Sequence, residues 1–276
     1  MSNDINEINE NLESMKVEGI KPRMSVIILG MAGSGKTTFV KKFEEVLVDK
    51  DKETYVINMD PAVKDTLYEP NMDIRDTINY KEVMTSHSLG PNGAIMTCLN
   101  LFATSIHKII DVLEKKDELD YIIVDTPGQL EVFSWSASGQ VISDSFSVIF
   151  PTVLIYVVDI PRCQNPNTFA SNMLYALSIM YKMKLPLILV FNKKDIVSEE
   201  QCFSWMSDYE NFMDSLDNET EYISSFSRSM CLVLEEFYKN IKYVAVSSKT
   251  GDGYDGLIKA MEDILVDYMK EKEKSC

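Results

Sequence analysis

Between residues 30 and 37 the chain reads Gly30-Met31-Ala32-Gly33-Ser34-Gly35-Lys36-Thr37, matching GxxxxGK[ST] at every fixed position. Glycines at this spacing let the backbone curl until its N–H groups converge. Convergent N–H groups at the start of a helix make a cradle for phosphate. Lys36 would then reach the β- and γ-phosphate oxygens, and the Thr37 hydroxyl would join the shell of a Mg2+ ion. Gly33, Ser34, Gly35 and Thr38 complete the expected phosphate contacts. A Gly-rich turn matching by chance is the bland alternative. It is disfavoured because an apolar run, Met24 to Leu29, leads into the motif and helical periodicity leads out of it.

Three further groups follow apolar runs in the same way. Asp125-Thr126-Pro127-Gly128-Gln129 comes after Tyr121 to Val124. It places Asp125 to bind the Mg2+ shell, Gly128 to present an N–H to the γ-phosphate, and Gln129 to orient an attacking water. Asn192-Lys193-Lys194-Asp195 comes after Leu187 to Phe191, where open α/β sheets bind ligands. The pattern NKxD is the guanine reader of GTPases. The Asp195 carboxylate would accept from N1–H and the 2-amino group, with Asn192 and Lys193 supporting. Adenine offers neither donor and would leave a buried carboxylate unpaired, at about 1–3 kcal/mol or more. Ser247-Ser248-Lys249-Thr250-Gly251 fits a last base-contacting loop, with Ser248 its candidate. Taken alone it is also an ordinary Ser/Gly turn. Asp60, in Asn58-Met59-Asp60-Pro61-Ala62, aims at the same sheet edge as Asp125. It reads as a metal or water-positioning group, or as a helix N-cap before proline. Ser88-Leu89-Gly90-Pro91-Asn92-Gly93 reads on physics alone as a turn.

The elements that must hold these groups are legible as apolar runs at Met24 to Leu29, Thr54 to Asn58, Tyr121 to Val124, Val153 to Val158, Leu187 to Phe191 and Tyr243 to Val246. Helical periodicity lies between them, as at Thr38 to Val48 and Ile106 to Leu113. Such alternation predicts an α/β fold of the P-loop NTPase type, a mostly parallel doubly wound sheet flanked by helices. The expected layout is a polar leader over 1–22, one domain over 23–270, and a charged tail over 271–276. Two stretches exceed a minimal nucleotide-binding sheet: about 129–150, and a helical insertion at about 199–240 carrying Trp205, Phe212, Phe226 and Phe237.

Composition narrows the function further. The chain has 276 residues, 43 acidic against 27 basic, and a formal net charge of −16. Phosphate backbones are bound by clustered Lys and Arg, so no nucleic-acid surface is expected. Cys98, Cys163, Cys202, Cys231 and Cys276 form no CxxC pair and read as reduced thiols of a cytosolic or nuclear protein. No apolar run reaches membrane-spanning length, and the polar opening stretch reads as no signal peptide.

With these motifs in place, Gly90-Pro91-Asn92 between the Asp60 region and DTPGQ makes the chain resemble the GPN-loop GTPase family from Ser25 to about Met269. The shared stretches include GMAGSGKTTF, NMDPA, Asp73-Ile74-Arg75-Asp76-Thr77, SLGPNGA, DTPGQLE and NKKD. The phosphate-loop version and Asn100 to Thr104 (NLFAT) look most like the first eukaryotic paralogue, a branch implicated in assembly and nuclear import of RNA polymerase II. The resemblance implies a Mg2+-dependent GTPase that works as a homodimer or as a heterodimer with a sister paralogue. It implies that Gly90, Pro91 and Asn92 act in the partner's site, while Gln129 and Asp60 act in cis beside the catalytic Lys36 of the phosphate loop. It also implies RNA polymerase II subunits or assembly factors as partners, and a cytoplasmic protein that shuttles to the nucleus. The stretch 129–150 is the candidate surface that opens and closes with the nucleotide. Arg75 is the only arginine near the motifs, with a salt bridge as its plain alternative role. Ala94 stands where the family often has glycine, a conservative change if the backbone there is helical. The alternative function is a GTP-dependent dimerising scaffold with negligible turnover. An ATPase or nucleotide kinase of the same loop class is discouraged by NKKD.

Overall fold

The computed structural model describes residues 23–216, 234, 236–239 and 241–275. The leader and part of the 199–240 insertion, including Phe226, lie outside these residues. Seven strands form one sheet: β1 (Met24–Gly30), β2 (Thr54–Asn58), β3 (Met72–Asp73), β4 (Tyr121–Asp125), β5 (Thr152–Asp159), β6 (Leu187–Asn192) and β7 (Lys242–Val246). Their order is β3-β2-β4-β1-β5-β6-β7, and every pairing is parallel. The four central strands β1, β4, β5 and β6 are buried along their whole length. This is why they read as unbroken apolar runs rather than as alternating ones.

The flanking helices are α1 (Lys36–Val48), α2 (Ile74–Thr77), α3 (Tyr80–Ser86), α4 (Pro91–Ala103), α5 (Ile106–Glu114), α6 (Leu130–Ser134), α7 (Ala137–Ile149), α8 (Pro166–Met183), α9 (Glu200–Ser207), α10 (Tyr209–Leu216) and α11 (Tyr254–Ser275). Two cores result, one on each face of the sheet. The larger packs Ile27, Leu29, Ile122, Val124, Leu154 and Tyr156 under α4 to α10. The smaller packs Val26, Ile28, Ile123, Ile155 and Ile188 under α1 and α11 through Phe39, Phe43, Tyr254 and Met261. Residues 129–150 are α6 and α7, and they place Phe133, Ile142, Phe146 and Phe150 in the larger core. Trp205, Phe212 and Phe237 of the 199–240 stretch lie in the same core, so their aromatic rings serve packing.

Strand register brings the motifs to one edge. Asn58 pairs with Asp125, Ile28 with Asp125, Gly30 with Val157, Asp159 with Asn192, and Asn192 with Val246. The carboxyl ends of six strands are therefore level, and the loops leaving them converge on one crevice. β3 and the short helices α2 and α3 were not foreseen from the sequence. A two-residue edge strand leaves too short an apolar run to detect.

Candidate functional site

The carbonyls of the phosphate loop are held by side-chain donors. Lys36 Nζ donates to Gly30 O at 2.8 Å and Met31 O at 3.3 Å. Arg162 Nη1 donates to Ala32 O at 2.9 Å, Lys193 Nζ to Gly33 O at 2.9 Å, and Asn192 Nδ2 to Ser34 O at 3.1 Å. Five consecutive carbonyls thus have side-chain donors. In a trans peptide each N–H points opposite to the preceding carbonyl, so a donor that fixes a carbonyl also fixes the direction of the next N–H. The Ser34 N–H closes a turn onto Met31 O at 3.1 Å. Gly35 precedes α1 with φ 92°, and a Cβ there would meet Asn192 Nδ2 at 2.7 Å. Glycine is required by both conformation and contact. Ser34 Oγ is buried without a partner. Thr37 is half-buried and Thr38 exposed in the first turn of α1. Burial lowers the Lys36 amine below its ordinary value, against the opposing pull of Asp125 and Asp60.

Beside the loop lies a carboxylate pair. Asp125 is buried and accepts from Tyr68 Oη at 2.8 Å through Oδ2, while its Oδ1 has no partner. Burial pushes its carboxyl up to about 6, although the Tyr68 hydroxyl and Lys36 pull the other way. Asp60 accepts from Ala62 N at 2.9 Å and from Gly128 N at 3.3 Å. Residues 61 and 62 are a turn and no helix follows. The N-cap alternative for Asp60 is therefore corrected: its carboxylate closes an Asx turn and ties the end of β2 to the loop after β4. Gln129 is half-buried at the start of α6, and its side chain makes no cap bond.

At the other end of the crevice, Asp195 is exposed and Ser247 Oγ donates to its Oδ1 at 2.6 Å. Asn192 Oδ1 accepts from Ser248 N at 3.1 Å, Ser248 Oγ at 2.8 Å and Lys193 N at 2.8 Å. Asn192 therefore fastens both base-side loops to the phosphate loop, and its position explains why a base reader needs Asn at the strand end. Tyr254 Oη donates to Ser248 Oγ at 3.2 Å from below.

Gly90, Pro91 and Asn92 open a helix. Gly90 is the N-cap of α4, Pro91 its first residue, and all three are exposed. The turn expected at 88–93 is thus a turn at Ser88, with φ 51°, followed directly by a helix with proline at N1. Ala94 is buried inside that helix, where alanine is well tolerated. Among the described residues, no hydrogen bond or ion pair joins residues 90–92 to the phosphate loop, Asp60, Asp125 or Gln129. Arg75 braces its own turn, pairing with Asp73 at 2.7 Å and donating to Lys64 O at 2.8 Å. It is not the only arginine near the motifs: Arg162 sits on the phosphate loop. Tyr68, Asp159 and Arg162 are the site residues that the sequence did not disclose. No local pattern marks them, because their partners lie 57, 34 and 130 residues away.

Known proteins resemble this chain in sequence and fold. A family model described as "Conserved hypothetical ATP binding protein" matches residues 28–267. GPN-loop GTPase 1 of Dictyostelium discoideum is 51% identical across 91% of this chain and 63% of its own length. GPN-loop GTPase 1 of Saccharomyces cerevisiae is 47% identical across 91% of this chain and 69% of its own. The chain thus spans less than two thirds of the Dictyostelium relative. The apo crystal structure of PAB0955, a GTPase from Pyrococcus abyssi, superposes with a TM-score of 0.77. It shares 27% identity over 88% of this chain and 97% of that one. With 63% to 97% of each of these relatives matched and the motifs gathered in one crevice, this chain belongs to the GPN-loop GTPase family.

Proposed function

We propose that this chain binds GTP with Mg2+, hydrolyses it to GDP and phosphate, and does so as a dimer whose copies complete each other's sites. One observation carries the reading: Asn192 ties the phosphate loop at Ser34 to the base-side loop at Ser248, and the neighbouring Ser247 of that loop holds the base-reading Asp195. The family model's description names ATP. The Asp195 carboxylate, held in place by Ser247, favours guanine, because only guanine supplies both donors it accepts.

The residues present fit a Mg2+ ion. Asp125 Oδ1 is a buried oxygen without a partner, with Thr37 beside it, and hard oxygens are the donors Mg2+ takes. Among the described residues no group of three His, Cys, Asp or Glu could hold a metal alone, so phosphate oxygens and water would complete the shell. Bound there, Mg2+ would neutralise phosphate charge. Lys36 swings from Gly30 O and Met31 O to the phosphates. Gly128 exchanges Asp60 for the γ-phosphate as its acceptor, which frees the Asp60 carboxylate to share in holding water with Gln129. Asn92 of the second copy adds the remaining polar group. Its exposure, and the absence among the described residues of a bond from it to this chain's own site, support that assignment.

The similarity to relatives named GPN-loop GTPase 1 supports the further proposal of a role in assembly and nuclear import of RNA polymerase II, from a cytoplasmic pool that shuttles. The partner surface proposed for it lies on α6 and α7. There Trp135, Val141, Val148 and Ile149 are exposed, and a groove of about 500 Å3 runs between α7 and α5.

Gln129→Leu separates this reading from a GTP-binding scaffold. Loss of phosphate release with GTP binding retained is expected. Unchanged release would remove Gln129 from the mechanism, and no release from the wild type would favour the scaffold.

A further inference from the structure

Arg162 reaches the phosphate loop from the turn after β5. Its Nη1 donates to Ala32 O at 2.9 Å, and its Nε lies 3.4 Å from Asp159 Oδ2. Asp159 is buried and also pairs with Lys193 Nζ at 2.7 Å, and that amine in turn holds Gly33 O. One carboxylate thus aims two cations at two successive carbonyls. The guanidinium lies so close that a Cβ on Gly33 would stand 2.9 Å from its Nη2. A larger residue at 33 would displace it.

The Ala32 carbonyl and the Gly33 N–H belong to one peptide plane and point in opposite directions. Whatever fixes the first aims the second. Arg162 is the one side chain among the described residues that donates to Ala32 O. Gly33 has φ +80°, a torsion with no side chain of its own to hold it. We propose that Arg162, braced by Asp159, is a positioning residue that aims the Gly33 N–H at the nucleotide's phosphates, with no part in reading the base. The proposal rests on the assignment of a guanine nucleotide to this crevice, and it needs no hydrolysis.

A hydrogen bond involving a charged group is worth about 1.5–3 kcal/mol, so a misaimed phosphate donor should weaken binding about tenfold or more. The test measures dissociation constants of GDP and IDP, which differ only in the 2-amino group, for wild type, Arg162→Gln and Arg162→Lys. Melting temperatures are measured alongside. Arg162→Gln is expected to weaken both nucleotides about tenfold and leave the GDP/IDP ratio and the melting temperature unchanged. Arg162→Lys, which keeps a donor for Ala32 O, is expected to recover much of the loss. Unchanged affinities, or a loss accompanied by a collapsed GDP/IDP ratio or a lowered melting temperature, would overturn the proposal. A wild type that binds neither nucleotide would instead overturn the site assignment itself.

Discussion

Tyr68 donates to Asp125 Oδ2 while the other carboxylate oxygen is buried without a partner. Removing the hydroxyl would leave both oxygens unsatisfied, at a cost of about 1–3 kcal/mol. Tyr68→Phe should therefore lower stability by that amount in urea denaturation at neutral pH, and an unchanged midpoint would show that water replaces the hydroxyl. At the base end, Asp195→Asn replaces one acceptor by an N–H donor, which suits a 2-oxo group rather than a 2-amino group. GDP affinity should fall by at least about tenfold, and XDP should become the better ligand. Equal GDP binding by the variant would place the base elsewhere. These two residues differ in how readable they are. Asp195 belongs to a pattern of fixed spacing after an apolar run, so the sequence discloses it. Tyr68 acts on a residue 57 positions away, from the loop between β2 and β3, where no local pattern marks it.

Among the elements, α6 and α7 meet at a contact with no spare room. Ser136 caps α7 by accepting from Gly139 N at 3.0 Å, and a Cβ on Gly139 would lie 2.0 Å from Phe133 O. Gly139→Ala must therefore push α7 off the end of α6 and disturb Phe133 and Phe146 beneath them. A loss of about 3 kcal/mol is expected from such overpacking, measured by denaturation, and a neutral result would mean that α6 yields freely. Neither helix was legible as such, because a five-residue helix followed by a Ser-rich one shows little of the periodicity that marked α1. The turn after β3 carries a pH signature. Burial alone would raise Asp73, but hydrogen bonds from the Arg75 side chain and backbone and from Asn58 outweigh it and hold the carboxyl below its ordinary value. A depressed carboxyl stabilises the fold fully above its unfolded value, near about 4, and loses that contribution as pH falls through the lower folded value. Arg75→Gln should thus cost stability at pH 7, with the gap to wild type narrowing below about pH 4. A gap independent of pH would mean that Arg75 acts only through the backbone carbonyls it also donates to, Val63 O at 3.2 Å and Lys64 O at 2.8 Å.

At the scale of the whole molecule, a level sheet edge gathers loops from six strands, while Asn92 is exposed at the start of α4. The sheet and its order of motifs were readable because buried parallel strands write themselves as continuous apolar runs. The role proposed for Asn92 was not readable from spacing and rests on the resemblance to the family. If Asn92 serves the partner, Asn92→Ala and Gln129→Leu should each be nearly inactive alone. Mixed, they should recover about a quarter of wild-type turnover, since about half the dimers are hybrids with one complete site. No recovery on mixing would place Asn92 in its own chain's site or outside the chemistry. The most direct test of the account is phosphate release by the wild-type chain with Mg2+ and either GTP or ATP, measured over a range of protein concentration. The account predicts release from GTP alone, at a rate per chain that rises with protein concentration as dimers form. Equal release from ATP, or none from GTP at any concentration, would contradict it.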